Sequence, residues 1–386
     1  MRIYSNVDLY NKYVQEQASE AFLDKNISAG AYKNILERYQ SRLYIPNYFI
    51  RVALGALTLV AIVFSGLLLA LVFQPSGSGG LIGFFFSFSV INYAALELLV
   101  RKNHYYNAGV DNLLLFFSAA FIVGTFMVKE YTYQNVAVSG VAMVVCVLLS
   151  VRFVDAFMSL LGYMALFVFV FLLYLKFGSI AKATAPFLMM IVSAVVYILM
   201  KSLVRNEKLL FYRYCCKCVM LLTLVTFYAS VNYFTVKELS NEMFNLNLTL
   251  KDTIPLGWLF WIFTFVIPPA YIVYGITKKD LMLIRTGIVL IVVTVFTYRY
   301  YHAIVPVEIV MLAGGSLLIL LSYLLINYLK ISRYGFRFDK NKTAGKERID
   351  LEALIIAQVT GKKPIANRGV EFGGGSFGSG GAGERY

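Results

Sequence analysis

From about residue 50 onward the chain alternates long apolar runs with short polar stretches. The runs are continuous rather than alternating in polarity, so they predict helices and exclude the pattern of a membrane β-barrel. A hydrocarbon core about 30 Å thick takes roughly 20 helical residues to cross. Ten runs meet that need, at 50–73, 81–100, 112–128, 135–151, 155–175, 184–203, 214–234, 255–276, 281–298 and 305–329. The expected fold is all-α, a polytopic transmembrane bundle of about ten spans within residues 47–329. Its slightest joint lies between the fourth and fifth runs, which only Arg152 and Asp155 interrupt with charge.

Polar segments flank the bundle. Residues 1–46 carry two amphipathic patterns, Leu9, Tyr10, Tyr13, Val14, Ala21 and Phe22, then Ile27, Ala31, Ile35, Leu36, Tyr39 and Leu43. They are parted by 24-DKNIS-28 and predict a helical hairpin whose apolar faces need cover from the bundle, the bilayer surface or a partner. Residues 330–368 are basic, with a short helix expected at 347–359. The glycine-rich 369–386 has only Phe372, Phe377 and Tyr386 as large anchors, too little to order itself, and is a candidate docking tail.

Composition agrees with this layout. Hydrophobic residues make up 59% of 386 and charged ones 15%, a mix that excludes an ordinary water-soluble domain. The net charge of +14 reads first as an orientation signal and not as a nucleic-acid footprint. With both termini cytoplasmic, only Lys129, Lys176, Lys182, Lys237, Lys251 and Arg299 of the 35 basic residues fall outside. The reverse orientation breaks the positive-inside rule at nearly every loop. Anionic headgroups are expected partners of the basic inner segments, alongside proteins that meet the hairpin or tail. No cleavable leader is expected, because the first strongly apolar run starts near residue 47. Four cysteines, Cys146, Cys215, Cys216 and Cys218, do not form a disulfide framework.

Chemistry is sparse. The stretch 298-YRYYHAIVPVEIV-310 brings Arg299, His302 and Glu308 close in sequence at the expected outer interface. It reads as an interfacial loop with tyrosines at headgroup depth and a proline-led helix start, or as an outer-facing pocket. In the eighth run Pro268 and Pro269 lack the amides that would bond the carbonyls of Thr264 and Phe265. Freed carbonyls there serve either a static bend or ion coordination at a hinge. Asn92 and Asn232 are further polar positions within the runs, and Glu97 is spaced to pair with Arg101 on one helix face. Asp111 and Asp155 suit helix N-termini. Cys215, Cys216 and Cys218 with His104 have the atoms of a zinc site but the wrong spacing. No metal, cofactor or catalytic residue is expected, since no carboxylate relay, phosphate loop, hydrolase elbow or dinucleotide fingerprint occurs.

Several stretches, "NISAGAYKNILERY", "LYIPNYFIRVALGALTLV", "YYNAGVDNLLLF", "YRYYHAIVPVEIVMLAGGSLLILLSYLLI" and the "FGGGSFGSGGAG" tail, give the chain a wider likeness. It resembles uncharacterised multi-pass bacterial inner-membrane proteins classed only as a domain of unknown function. The resemblance implies a bacterial inner membrane and supplies no catalytic residues. The function expected is a non-enzymatic scaffold or accessory subunit of a larger membrane assembly. The alternatives are a transporter or lipid-handling protein using the proline-broken eighth span, and a membrane enzyme acting at the outer interface through His302.

Overall fold

A computed structural model describes residues 2–24, 26–129, 133–244 and 252–301, with isolated helical positions at 312, 315, 316, 319, 320 and 323. Among the described residues the protein is helical, without a strand. Two short helices open it, α1 (Asn6–Leu23) and α2 (Ala29–Arg38). There follow α3 (Tyr48–Phe73), α4 (Gly77–Asn103), α5 (Val110–Thr125), α6 (Gln134–Phe153), α7 (Ala156–Leu175), α8 (Ser179–Arg205), a 3-10 segment (Glu207–Tyr212), α9 (Arg213–Val231), α10 (Tyr233–Phe244), α11 (Gly257–Lys278) and α12 (Leu281–Tyr301).

Among the described residues eight helices are long and apolar enough to cross a membrane: α3, α4, α6, α7, α8, α9 with the 3-10 segment before it, α11 and α12. The protein therefore has the architecture of a multi-pass membrane protein. Two of the ten expected runs are not among these eight. The run at 112–128 becomes α5, whose 16 residues extend about 24 Å, short of a full core. The run at 305–329 lies almost wholly outside the described residues. The run at 214–234 also differs, because Asn232 is extended (φ −68°, ψ 131°) and ends α9. Its side-chain carbonyl accepts from the Thr235 amide at 3.2 Å and starts α10.

Sequence neighbours pack as antiparallel pairs, α4 with α5, α6 with α7, α8 with α9 and α11 with α12. α9 is the hub, touching α7, α8, α10, α11 and α12. Half of its apolar window is buried against 6% for α3, so α3 stands at the edge. At the α11–α12 contact a methyl on Gly287 would sit 3.0 Å from the Pro268 carbonyl, so the small residue sets the approach.

The helices alternate between two faces. We call the one carrying α1 and α2 the near face and the other the far face. The amino-terminal segment is stitched to the near face by backbone bonds: the Ile3 amide donates to Arg152 (3.1 Å), Tyr44 to His104 (2.9 Å) and Tyr106 to Tyr44 (3.1 Å). Asn11 and Gln15 of α1 donate to the carbonyls of Gln40 and Tyr39, which ties the return strap back onto α1. The Arg2 guanidinium lies 4.9 Å over Phe211. Tyr4, only 8% exposed, meets Tyr106 edge-on at 5.1 Å. The turn between α1 and α2 falls where 24-DKNIS-28 places it, with the Ser28 hydroxyl capping Ala31. α1 buries Leu9 and Ala18, whereas α2 buries nothing and touches α1 through the Phe22–Tyr32 stack at 4.8 Å.

Beneath this clamp, short loops are held by their own side chains. Asp111 accepts from the Asn107 and Ala108 amides at 2.7 and 2.8 Å. Asp155 caps α7 through the Met158 amide (2.7 Å) and accepts from Asn112 (3.2 Å), joining two loops. Glu97 pairs with Arg101 as its spacing predicts, and Arg152 of α6 joins it at 2.6 Å. Gly109 adopts φ +90°, and a methyl there would run into the Arg51 carbonyl of α3.

Two outcomes follow. Gly109→Ala should destabilise the protein by about 2–3 kcal/mol, from a disfavoured φ and a blocked approach. Gly83→Ala, with open space around it, should be neutral or mildly stabilising; thermal unfolding in detergent compares the two. The second concerns alkali. Burial, reinforced by Asp111, raises the Tyr4 phenol above its ordinary 10.0, and burial raises Tyr106 likewise. Above pH 10 the unfolded tyrosines release protons that the folded ones keep, so stability is lost as pH rises. The slope is about 1.4 kcal/mol per pH unit for each tyrosine. Hydrogen exchange of residues 2–24 should accelerate above pH 10, and less steeply in Tyr4→Phe.

Candidate functional site

The far-face half of the bundle holds two built regions, a polar network around Pro268 of α11 and an apolar slot beside it. The network begins at Pro268, which is fully buried, while Pro269 is exposed. The carbonyl that Pro268 leaves free belongs to Thr264, and the Thr294 hydroxyl of α12 lies 3.1 Å from it. That hydroxyl also reaches the Leu290 carbonyl of its own helix at 2.9 Å, so one proton is shared between two acceptors. With it committed, Tyr228 donates to Thr294 (2.9 Å) and accepts from the Asn232 amide (2.8 Å). Asn232 also reaches Thr297 at 3.2 Å. The Thr264 hydroxyl accepts from the Tyr233 amide at 3.0 Å and donates to Phe260. Three helices and the α9–α10 break are thereby joined through side chains whose hydrogen-bonding capacity is used among themselves. At Thr264 the carbonyl that Pro268 leaves without an amide is met by a hydroxyl of the next helix. Phe265 is half exposed, its ring stacked on Trp261 at 5.8 Å.

An aromatic cap covers the network at the far face. Tyr301 closes on Tyr233 edge-on at 5.0 Å and donates to Glu238 at 2.7 Å. Lys237, only 2% exposed, donates to the Asp252 carbonyl at 2.6 Å and lies 4.7 Å over the Tyr301 ring. A buried ammonium is expensive in an apolar site, and here a carbonyl dipole and ring faces offset that cost. The chain around Lys237 reads as an ordinary outer boundary, so no sequence pattern marks it.

The slot lies on the other side of α10, between α7, α8 and α9, with a volume of about 420 Å³. Its walls are Met164, Phe167, Phe171, Met189 and Met243, and Lys182 stands at its far-face end. At its floor Thr226 bonds Tyr163 at 2.6 Å and approaches Ser193 at 3.1 Å. Ser193 donates onward to Met189 at 2.9 Å and Thr226 to Thr223 at 3.2 Å. Pro186 in α8 lines the slot and provides no amide for the Lys182 carbonyl. A slot assembled from four separate elements leaves no local sequence mark; Pro186 inside an apolar run is its one trace.

Of the outer cluster expected from sequence, Arg299 lies on the last turn of α12, and His302 and Glu308 fall outside the described residues. Residues 299–301, expected in the interfacial loop, are the helical end of α12. Phe372, Phe377 and Tyr386 also fall outside the described residues. Cys215 and Cys216 are buried thiols on α9, and no group of three potential metal ligands gathers among the described residues. Asn92 is buried and donates to the Phe88 carbonyl of its own helix at 2.7 Å.

No protein-family model, curated protein or solved structure matches this chain.

Thr294→Val removes the partner of a buried carbonyl and of Tyr228, and should cost about 1–3 kcal/mol. Thr294→Ser keeps the hydroxyl and should lose much less. Thermal unfolding in detergent measures the difference.

Proposed function

We propose that the protein is a non-enzymatic, multi-pass component of the bacterial inner membrane that serves as a scaffold or accessory subunit of a larger assembly. The observation that carries this reading is the closed hydrogen-bond network of Thr264, Thr294, Tyr228, Asn232 and Thr297. Ionisable or unsatisfied groups inside a membrane mark ion and proton routes. Here the Thr264 carbonyl and the polar side chains beside it are spent on holding helices together, which suits a fixed body better than a hinge.

Orientation follows from charge. Arg101, Lys102, Arg152, Arg205, Lys208 and Lys279 sit at near-face ends or loops, while the far face carries few basic residues. The near face is accordingly read as the cytoplasmic one, with the amino terminus on that side, and a tenth span at 305–329 would bring the carboxyl terminus there too. The segment around Tyr4 and Leu9 is engaged with the bundle, whereas α2 buries nothing and α3 is largely exposed, so these two helices, with the glycine-rich tail, are the segments offered to partners.

The test is gentle extraction from the native membrane of full-length protein and of a form lacking residues 369–386, followed by mass spectrometry of what copurifies. A stoichiometric set of membrane proteins with the full chain, reduced severalfold without the tail, is expected. Recovery of the chain alone in both cases would overturn the proposal.

A further inference from the structure

We infer that the small cavity beneath the amino-terminal segment, enclosed by Tyr4, Asn107, Asp111, Asn112 and Asp155, is a site for one dehydrated monovalent cation of sodium's size. The inference is independent of the scaffold proposal. The cavity has a volume of about 10 Å³, room for a single water-sized occupant without a hydration shell. Its walls supply hard oxygen ligands of three kinds, carboxylate, amide carbonyl and phenol.

Tyr4 is 8% exposed and lines the cavity, and its hydroxyl makes no hydrogen bond among the described residues. The charges of Asp111 and Asp155 both bear on that phenol, yet it donates to neither. A buried hydroxyl left in this way is costly, and a cation shared by the three side chains removes the cost. The carboxylates retain room to take part. Asp111 accepts from the Asn107 and Ala108 amides, and Asp155 from the Met158 amide and the Asn112 side chain, whereas a carboxylate offers about four lone-pair positions.

Charge selects a cation over a water. Asp111 is only 7% exposed. Arg51 acts on Asp155, and its guanidinium reaches the Asn107 side-chain carbonyl at 3.4 Å. The other cations nearby are engaged elsewhere, Lys12 with Glu16 and Arg152 with Glu97. Two carboxylates facing one guanidinium leave a negative charge at the site, and a buried charge without compensation is expensive. A water would fill the space and leave that charge. A divalent ion would exceed it and would need more ligands than the cavity offers. Potassium, the larger ion, would have to push the walls apart.

Position gives the ion a role. Tyr4 belongs to the amino-terminal segment, Asp111 to the first turn of α5 and Asp155 to the cap of α7. An ion held by all three ties that segment to two loops of the near face.

The experiment measures binding of radioactive sodium to the purified full chain in detergent by scintillation proximity, with choline holding ionic strength constant. Saturable binding of a single ion per chain is expected, displaced severalfold better by unlabelled sodium than by potassium. Tyr4→Phe, which keeps the ring, and Asp111→Asn should each weaken binding severalfold. Hydrogen exchange of residues 2–24 should be severalfold slower in sodium than in choline, and Tyr4→Phe should lose that response. Absence of saturable binding to the unaltered protein would overturn the site and leave a water or a proton as the occupant, a result that does not depend on any variant folding. Binding unchanged in Tyr4→Phe would put the ion elsewhere and overturn the site as well. Equal displacement by potassium would overturn the selection by size.

Discussion

Hydrocarbon gives a backbone carbonyl no water to bond, so a proline within a spanning helix creates a debt that some other group must meet. In this protein the Thr264 carbonyl, released by Pro268, is met by the Thr294 hydroxyl of the next helix. Much of the far-face half is organised around that contact. Thr294 draws in Tyr228, Tyr228 draws in Asn232, and Asn232 ends α9 and turns the chain into α10. α10 in turn divides an aromatic cap from an apolar slot. A local backbone defect thus has consequences for helix packing, for the chain path and for the shape of a cavity.

The near-face half depends on a different device. Its loops are short, and each is fixed by side chains that cap helix starts or bond loop amides, Asp111 and Asp155 foremost. The amino-terminal strap closes over them through Tyr4 and the Tyr44–Tyr105 bridge. Gly109 permits α3 to lie against the start of α5, which gives the peripheral helix a tight attachment. Two halves built in these different ways meet at α9, the most buried of the spanning helices.

The apolar runs made the helical class legible, because length and continuity alone decide whether a segment can cross a bilayer. Glu97 with Arg101, Asp155 before α7 and the turn at 24–28 were also readable, since each involves contacts within a few residues. The end of α9 was not. Asn232 sits in an apolar run, and only its partners on other helices reveal that it breaks the chain there. Pro268 announced a freed carbonyl but not the hydroxyl that meets it, because Thr294 lies 30 residues from Thr264. Lys237 and the slot were invisible for the same reason: burial and cavity shape arise from several elements at once.

A double-mutant cycle of Pro268→Ala and Thr294→Val addresses the central contact most directly, with unfolding free energies measured for the parent, both single variants and the double. In the alanine background the amide at position 268 becomes available to the Thr264 carbonyl, so loss of the Thr294 hydroxyl should cost less there. A coupling of at least about 1 kcal/mol is expected. Additive losses would contradict the view that Thr294 meets the carbonyl that Pro268 frees.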